Sequence, residues 1–192
     1  MTVFAGRPKI STALTEWDRS SGFIEGDDVV GARRLEDQAA LRIVGASAIW
    51  LPYCDSQYRQ NHPTCKISRT LRFVIQAIGP TIVLFPLGLF HSDHVLTSEA
   101  CLRVIGEING CTWITYEEAL YRCISDLAFC RHQYFKALGL SLRIPDLAYY
   151  RNPVLKSAAM HCYRSQLRAL NTMGRPGYFD ALNQERYWVV AP

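Results

Sequence analysis

The feature that most constrains the fold is a short apolar run followed at once by a loop of titratable side chains. The run Thr81–Phe85 is apolar and rich in β-branched residues, which predicts a strand buried on both faces. Pro86 and Gly88 follow it, and His91-Ser92-Asp93-His94, here called the histidine loop, comes next. Because open α/β folds place their ligand crevice at the carboxyl ends of strands, we expect the histidine loop to carry function.

Strands and helices alternate along most of the chain. Helices are predicted at about 28–44, 67–78, 95–108 and 153–170, and strands at about 1–5, 48–51, 81–85, 111–116, 140–144 and 187–190. Residues 9–26 lack a sustained period and are predicted to be loop-like. This order predicts one Rossmann-like α/β domain over residues 1–192, with a mostly parallel sheet and helices on both faces.

The chain begins directly in its first predicted strand. The first strand of a doubly wound sheet usually lies near the middle of the sheet, so we expect this chain to lack a central, N-terminal strand. A sheet centre left exposed in this way would favour self-association, so we also consider a homo-oligomer.

Composition excludes several function classes. The 192 residues carry a formal net charge of +4, with Lys and Arg scattered rather than clustered, which argues against nucleic acid or an anionic membrane surface as the main partner. The longest apolar stretch is too short for a membrane span. Seven scattered cysteines without a C-x-x-C pair are typical of reduced thiols, several of them in the core, and predict a cytoplasmic location. The composition does not exclude an anionic small molecule as a ligand.

The histidine loop has two interpretations. In the first, an imidazole binds zinc, a carboxylate orients its neighbour, and the second histidine takes part in the reaction. In the second, Asp93 is the N-cap of the following helix and the histidines are partly exposed loop residues. Catalytic zinc usually has three protein ligands, and this motif supplies two at most.

Two further positions have similar alternatives. Arg33 could form an i,i+3 ion pair with Glu36 on a solvated helix face, or lie at the mouth of a crevice and contact an anion or a sugar hydroxyl. Asp55 follows a predicted strand, where it could form a turn or accept hydrogen bonds from a polyhydroxylated substrate. The remaining Cys/His pairs carry little weight, because the helical positions are typical of core cysteines.

Taken together and in order, several segments resemble the PIG-L/LmbE family of zinc-dependent N-acetyl-sugar deacetylases. H-x-D-H alone is a weakly specific motif, whereas the ordered set spans nearly the whole chain. The matching segments are Val3–Pro8, Arg33–Ala46 with its R-x-x-E pattern, the aspartate loop Leu51–Asp55, the H-x-D-H loop Pro86–His94, and Lys156–Leu167 with Glu185–Trp188.

The resemblance implies a role for each matching residue. His94 is the expected zinc ligand, and His91 is expected to face the scissile amide, where it would stabilise the oxyanion or protonate the leaving amine. Asp93 is expected to orient the histidines as part of the catalytic group, while Arg33 and Asp55 match substrate contacts. The implied reaction is hydrolysis of an N-acetyl group on an amino sugar or glycoconjugate by water that Zn²⁺ activates.

One family motif has no counterpart here. The first strand of the family ends in a His-Pro-x-Asp-Asp type of loop that supplies two more zinc ligands and the general base, and this sequence contains no such loop. We therefore expect an N-terminally truncated deacetylase domain whose zinc site is incomplete. The alternatives are a degenerate relative that binds a carbohydrate or a protein without catalysis, and an unrelated α/β protein with a structural histidine loop.

Overall fold

The computed structural model describes residues 1–8, 13–146 and 152–192, and these fall into two compact units. The first unit comprises the described residues of 1–61 and 149–183, and the second those of 62–148 and 184–192. The prediction of a single domain stays a prediction. Over the described residues, no helix is both long and apolar enough to cross a membrane.

The second unit holds a four-stranded sheet. Its strands are β1 (Ile82–Pro86), β2 (Thr112–Tyr116), β3 (Ser141–Arg143) and β4 (Tyr187–Ala191), and its helices are α3 (Thr64–Ile78), α4 (Ser92–Leu102) and α5 (Leu127–Ala137). The strand order is β1-β2-β4-β3. Helix α4 packs on β1 and on α3, and α5 packs on β3. The predicted α/β fold, with helices on both faces of the sheet, is confirmed.

The sheet is mixed rather than mostly parallel. β1 and β2 are parallel, with Ile82 opposite Thr112, but β4 runs antiparallel to both of its neighbours. The backbone N–H of Glu117 donates to the carbonyl of Arg186, so the chain enters β4 at the carboxyl end of β2 and must run back along it. The alternation of elements in the sequence gives their order but contains no information about this direction.

Strand β1 is less buried than predicted. Phe85 and Pro86 are buried, whereas Ile82 and Leu84 keep 42% and 53% of their surface exposed. The prediction of a strand buried on both faces is therefore wrong for the first half of the run. The physical reason is position, since β1 is an edge strand of the described sheet.

A tight contact joins the end of β1 to α4. Gly88 has a φ of +87°, and a Cβ there would lie 2.9 Å from the Cβ of Ser98, so only glycine fits without strain. The Ser98 hydroxyl and the Arg131 Nε both donate to the carbonyl of Leu87, at 3.0 Å each. Arg131 also pairs with Glu99 at 3.1 Å. These bonds fix the segment that leads from the strand into the histidine loop.

The first unit consists of α1 (Glu16–Ser20), α2 (Val29–Ile43), α6 (Pro153–Met160) and α7 (Arg164–Leu170). Helix α2 packs on α6, and α1 packs on α7. Instead of full strands, residues 2–4 and 50–52 form two isolated bridges, Thr2 with Trp50 and Phe4 with Pro52. The predicted helix at 28–44 is confirmed, with Asp28 as its N-cap, because the Asp28 carboxylate accepts from the N–H of Gly31.

Two predictions for this unit are wrong. Part of the predicted loop at 9–26 is helical, because Thr15 and Asp18 form a capping box that starts α1; residues 9–12 lie outside the described residues. The predicted single helix at 153–170 is two helices, α6 and α7, which are separated at residues 161–163. Pro153 does occupy the first turn of α6, as expected.

None of the cysteines that the structure describes forms a disulfide bond. Cys54 and Cys101 are buried, while Cys65, Cys123 and Cys130 are exposed. Burial raises the pKa of Cys101 to about 12, so this thiol stays protonated and behaves as a core residue.

Candidate functional site

The histidine loop lies in the second unit, between the carboxyl end of β1 and the start of α4. The N-cap of α4 is His91, whose Nδ1 accepts from the backbone N–H of Asp93 at 3.3 Å. The expectation that Asp93 is the N-cap is therefore wrong. Asp93 instead lies in the first turn, 6% exposed, where a carboxylate is favoured by the positive end of the helix dipole.

The two histidine rings are neighbours. Their centroids are 5.3 Å apart, and the Tyr121 ring lies 6.4 Å from His91 and 5.7 Å from His94. One ligand atom of His91 and one of Asp93 lie within 4.8 Å of each other, a separation that a shared divalent cation can bridge. The second unit thus brings together all three predicted residues of the H-x-D-H motif.

His94 has the electrostatics of a metal ligand. Burial, and secondarily the neighbouring His91, lower its pKa to about 4. Its ring is therefore neutral at pH 7, as a metal ligand must be. Its Nδ1 is buried without a hydrogen bond, although the side chain as a whole is 40% exposed. The Nδ1 lies 3.6 Å from Oε1 of Glu118, which is too long for a hydrogen bond, and a neutral ring makes no ion pair there.

Two buried glutamates at the carboxyl end of β2 were not among the residues predicted from the sequence. Glu118, 3% exposed, accepts from the backbone N–H groups of Gly88 and Leu89 at 2.8 and 3.0 Å, and burial raises its pKa. Glu117, 4% exposed, accepts from Trp188 Nε1 at 3.1 Å and pairs with Arg186 at 3.2 Å. The signal was present in the sequence, because both carboxylates directly follow a predicted strand, as Asp55 does.

The backbone beside the histidine rings is strained. Leu120, which precedes Tyr121, has a φ of +70°, a conformation that costs a non-glycine residue about 1–3 kcal/mol. Such strain persists only where the surroundings impose it, and it is found preferentially at functional sites.

The first unit contains a pocket of about 250 Å³. Arg33 and Asp55, the two predicted substrate contacts, both line it. The pocket also has aromatic walls, formed by Phe4, Trp50, Tyr58 and Tyr163, and two further acidic residues, Glu36 and Asp37. A concave site with aromatic walls and a few converging polar groups is typical of small-molecule sites.

Arg33 does not form the i,i+3 pair considered from the sequence. Its guanidinium contacts Asp18 at 2.9 Å, and Glu36 instead accepts from the backbone N–H and the hydroxyl of Ser165 at 2.8 and 2.6 Å. Arg33 Nε is buried and has no hydrogen-bond partner among the described residues. Asp55 accepts from the N–H of Gln57 at 2.9 Å, so the turn role is present as well as the pocket position.

The acidic residues of this pocket hold its walls in place. Asp37 accepts from Trp50 Nε1 at 2.6 Å and from the Tyr163 hydroxyl at 2.8 Å. Burial, followed by this bond to Asp37, raises the pKa of Tyr163. Arg34 donates to the carbonyl of Ala5 and lies over the Trp50 ring, 5.2 Å from its centroid. The roles of all five predicted site residues, three in the second unit and two in the first, remain predictions.

The lowered pKa of His94 predicts a pH dependence of stability. Unfolded histidine takes up a proton below its ordinary pKa of 6.5, whereas folded His94 stays neutral to about pH 4. Between these values the unfolded state binds more protons, so the contribution of His94 to stability is full above pH 6.5 and is lost as the pH falls towards 4. We expect the free energy of unfolding to fall more steeply between pH 7 and pH 5 in the wild type than in His94→Asn, measured by urea denaturation.

Wild type must be compared with His94→Asn because Glu118 has the opposite effect on the pH dependence of the free energy of unfolding. Its raised pKa makes the folded state bind more protons just above pH 4.5, which favours folding at lower pH. Both proteins retain Glu118, so its contribution largely cancels in the difference. Parallel stability curves for wild type and His94→Asn would contradict the buried, neutral state of this imidazole.

Comparison with known proteins gives structural relatives only. No family model and no curated protein sequence matches the chain. The crystal structure of A40926 pseudoaglycone deacetylase Dbv21 matches with a TM-score of 0.74 at 24% identity, over 99% of this chain and 83% of that one. The zinc-inhibited form of teicoplanin deacetylase Orf2 matches with a TM-score of 0.75 at 23% identity, over 99% and 85%. A deacetylase–teicoplanin complex matches with a TM-score of 0.71 at 22% identity.

This chain has the fold of these deacetylases.

Proposed function

We propose that this chain is a metal-dependent hydrolase of the PIG-L/LmbE type that removes an N-acetyl group from an amino sugar of a glycoconjugate. The observation that carries the proposal is the fold, which matches deacetylases over 99% of the chain while the histidine loop lies at the carboxyl end of β1. One of the matching proteins is an A40926 pseudoaglycone deacetylase, and another is a deacetylase in complex with teicoplanin. A sugar-bearing small molecule is accordingly the substrate class that we propose.

His94 is the metal ligand that we propose in the second unit, because it offers a neutral imidazole. The carboxylate of Asp93 lies in the same first turn of α4. Nitrogen and carboxylate ligands are the usual partners of Zn²⁺ at catalytic sites. When bound, such an ion would polarise the amide carbonyl and lower the pKa of a water molecule. We propose zinc as the ion, in line with the family resemblance.

His91 has a defined tautomer in this arrangement. Its Nδ1 accepts the N–H of Asp93, so in the neutral ring the proton lies on Nε2. The Nε2–H group can therefore donate to an oxyanion or pass a proton to a leaving amine. We propose this as the catalytic role of His91, with Asp93 orienting the loop through its backbone N–H.

The pocket of the first unit supplies the substrate contacts. A volume of about 250 Å³ is just below the range of about 300–1,000 Å³ that is usual for ligand pockets, so we propose that it accepts a single sugar ring. We propose that the Arg33 side chain donates to a sugar hydroxyl and that Asp55 accepts from one, since both residues line the pocket. Neither residue contacts the reacting amide in this proposal.

The test is release of acetate from N-acetylglucosaminides by the purified 192-residue protein. The protein is first treated with a chelator and then supplied with Zn²⁺, Co²⁺ or Mn²⁺, and bound metal is measured alongside. We expect acetate release only with added metal, and weak metal binding, as the short ligand set predicts. Acetate release that is unaffected by chelation would contradict the proposal. Sugar binding without acetate release under any metal would favour the degenerate binding module instead.

A further inference from the structure

Glu118, at the carboxyl end of β2, lies beside His94 of the histidine loop. Among the described residues, Oε2 of Glu118 and Nδ1 of His94 are both buried without a hydrogen-bond partner. The other carboxylate oxygen, Oε1, lies 3.6 Å from that Nδ1. Buried polar atoms are nearly always paired, and an exception calls for a specific reason.

Glu118 is held in place independently of His94. Its Oε1 accepts two backbone N–H groups, from Gly88 and Leu89, and the side chain is 3% exposed. Both N–H groups belong to the segment that leads into the histidine loop, so the carboxylate is fixed to the backbone that carries His94. Arg131, a positive side chain that influences Glu118 electrostatically, is bound to Glu99 and to the carbonyl of Leu87.

The carboxylate determines which ring nitrogen of His94 can carry the proton. A neutral imidazole has one N–H and one nitrogen lone pair. A lone pair on Nδ1 would face Oε1 of the Glu118 carboxylate and repel it, whereas an N–H there is attracted to it and needs only a small ring movement to donate. The proton therefore belongs on Nδ1, and the lone pair on Nε2.

We propose that Glu118 is the positioning residue of His94, which selects the Nδ1–H tautomer and so leaves Nε2 available as the metal ligand. Histidine ligands of metals usually donate their second nitrogen to a carboxylate or a carbonyl, and loss of such a partner weakens metal binding about 10–100-fold. The use of Nε2 by a metal rests on the proposed function, but the choice of tautomer does not.

The first test reads the tautomer in the metal-free chain. In protein with ¹⁵N-labelled histidine, long-range ¹H–¹⁵N correlations at neutral pH distinguish Nδ1–H from Nε2–H. We expect His94 of the wild type to be the Nδ1–H tautomer, and its population to shift towards Nε2–H in Glu118→Gln, which keeps an acceptor for Gly88 and Leu89 but removes the charge. An Nε2–H tautomer in the wild type would overturn the proposal, and this result does not depend on the folding of any variant.

Glu117→Gln is the matched control. Glu117 is the neighbouring residue and is equally buried, but it contacts Trp188 and Arg186 instead of His94. We expect Glu117→Gln to leave the His94 tautomer unchanged. The same tautomer in Glu118→Gln and in the wild type would overturn the proposal even if both proteins fold.

The second test measures Zn²⁺ affinity by competition with a chromophoric chelator. We expect Glu118→Gln to bind Zn²⁺ about 10–100-fold more weakly than the wild type, and Glu117→Gln to bind it equally. If Glu118→Gln bound Zn²⁺ as tightly as the wild type, the result would contradict the proposal that Glu118 positions His94 for the metal. A wild type that shows the Nδ1–H tautomer but binds no metal would count against the proposed function and leave the choice of tautomer intact.

Discussion

Replacing Asp18 with alanine is expected to cost the protein about 3–5 kcal/mol of folding free energy, the usual effect of removing one partner from a buried ion pair. The Asp18 side chain is 1% exposed and contacts the guanidinium of Arg33 at 2.9 Å, and Arg33 is itself only 18% exposed. The same carboxylate accepts from the backbone N–H of Thr15 at 3.1 Å, which caps α1. Alanine would therefore leave a buried charge without a counter-charge and remove a helix cap together. The loss of folding free energy is measured by urea denaturation, with circular dichroism as the signal.

Glu16→Ala is the control for this prediction, because Glu16 lies in the same helix and also pairs with an arginine. Its contact with Arg175 is 3.2 Å long, but Glu16 is 83% exposed, and exposed pairs contribute about 0–1 kcal/mol. Asp18→Asn keeps the shape of the side chain and removes only its charge, so it remains measurable if the alanine variant does not fold. Equal losses in Glu16→Ala and Asp18→Asn would show that Arg33 does not depend on its buried partner.

Local sequence signals predicted the elements of the fold well. Helix α2 begins after its Asp28 cap, close to the predicted start, and Gly45 with a φ of +69° follows its end, because caps and glycines act on the nearest few residues. The strand before the histidine loop and the strand at 112–116 are also where the pattern predicts them. In contrast, the direction of β4 and the exposure of Leu84 depend on which strands become neighbours, and no local pattern contains that information.

In the candidate site, too, some features were predictable from local sequence and others depend on packing. The H-x-D-H residues are adjacent in the sequence, so their proximity in the fold was predictable. The ion pair between Asp18 and Arg33 and the hydrogen bond from Gly88 to Glu118 join residues that are far apart in the chain. Side-chain partners at such separations follow from packing. His91 replaces Asp93 as the N-cap for a related reason, since a ring nitrogen can accept the same backbone N–H that an aspartate would.

Substitution of the two histidines is expected to separate their roles. His94→Ala removes the proposed metal ligand, so we expect both metal affinity and acetate release to fall by more than ~100-fold, beyond the ~10–100-fold that loss of a supporting residue causes. His91→Ala removes a donor to the reacting group, so we expect turnover to fall by about 10²–10⁴-fold. Because the proposal gives the metal a ligand in His94, affinity should fall far less in His91→Ala than in His94→Ala. Chelator competition and acetate release measured on the same samples give both quantities.

The same experiment tests the opposite assignment, because one ligand atom of His91 and one of Asp93 lie within 4.8 Å of each other. If His91→Ala loses metal while His94→Ala keeps it, the roles taken from the family resemblance are reversed. His132→Ala is the matched control: its Nε2 is also buried without a hydrogen bond, but its ring packs against Trp188, 4.5 Å between centroids, instead of against the histidine pair. We expect this variant to keep the metal affinity and turnover of the wild type, because a buried imidazole affects this chemistry only where it contacts the cation or the amide.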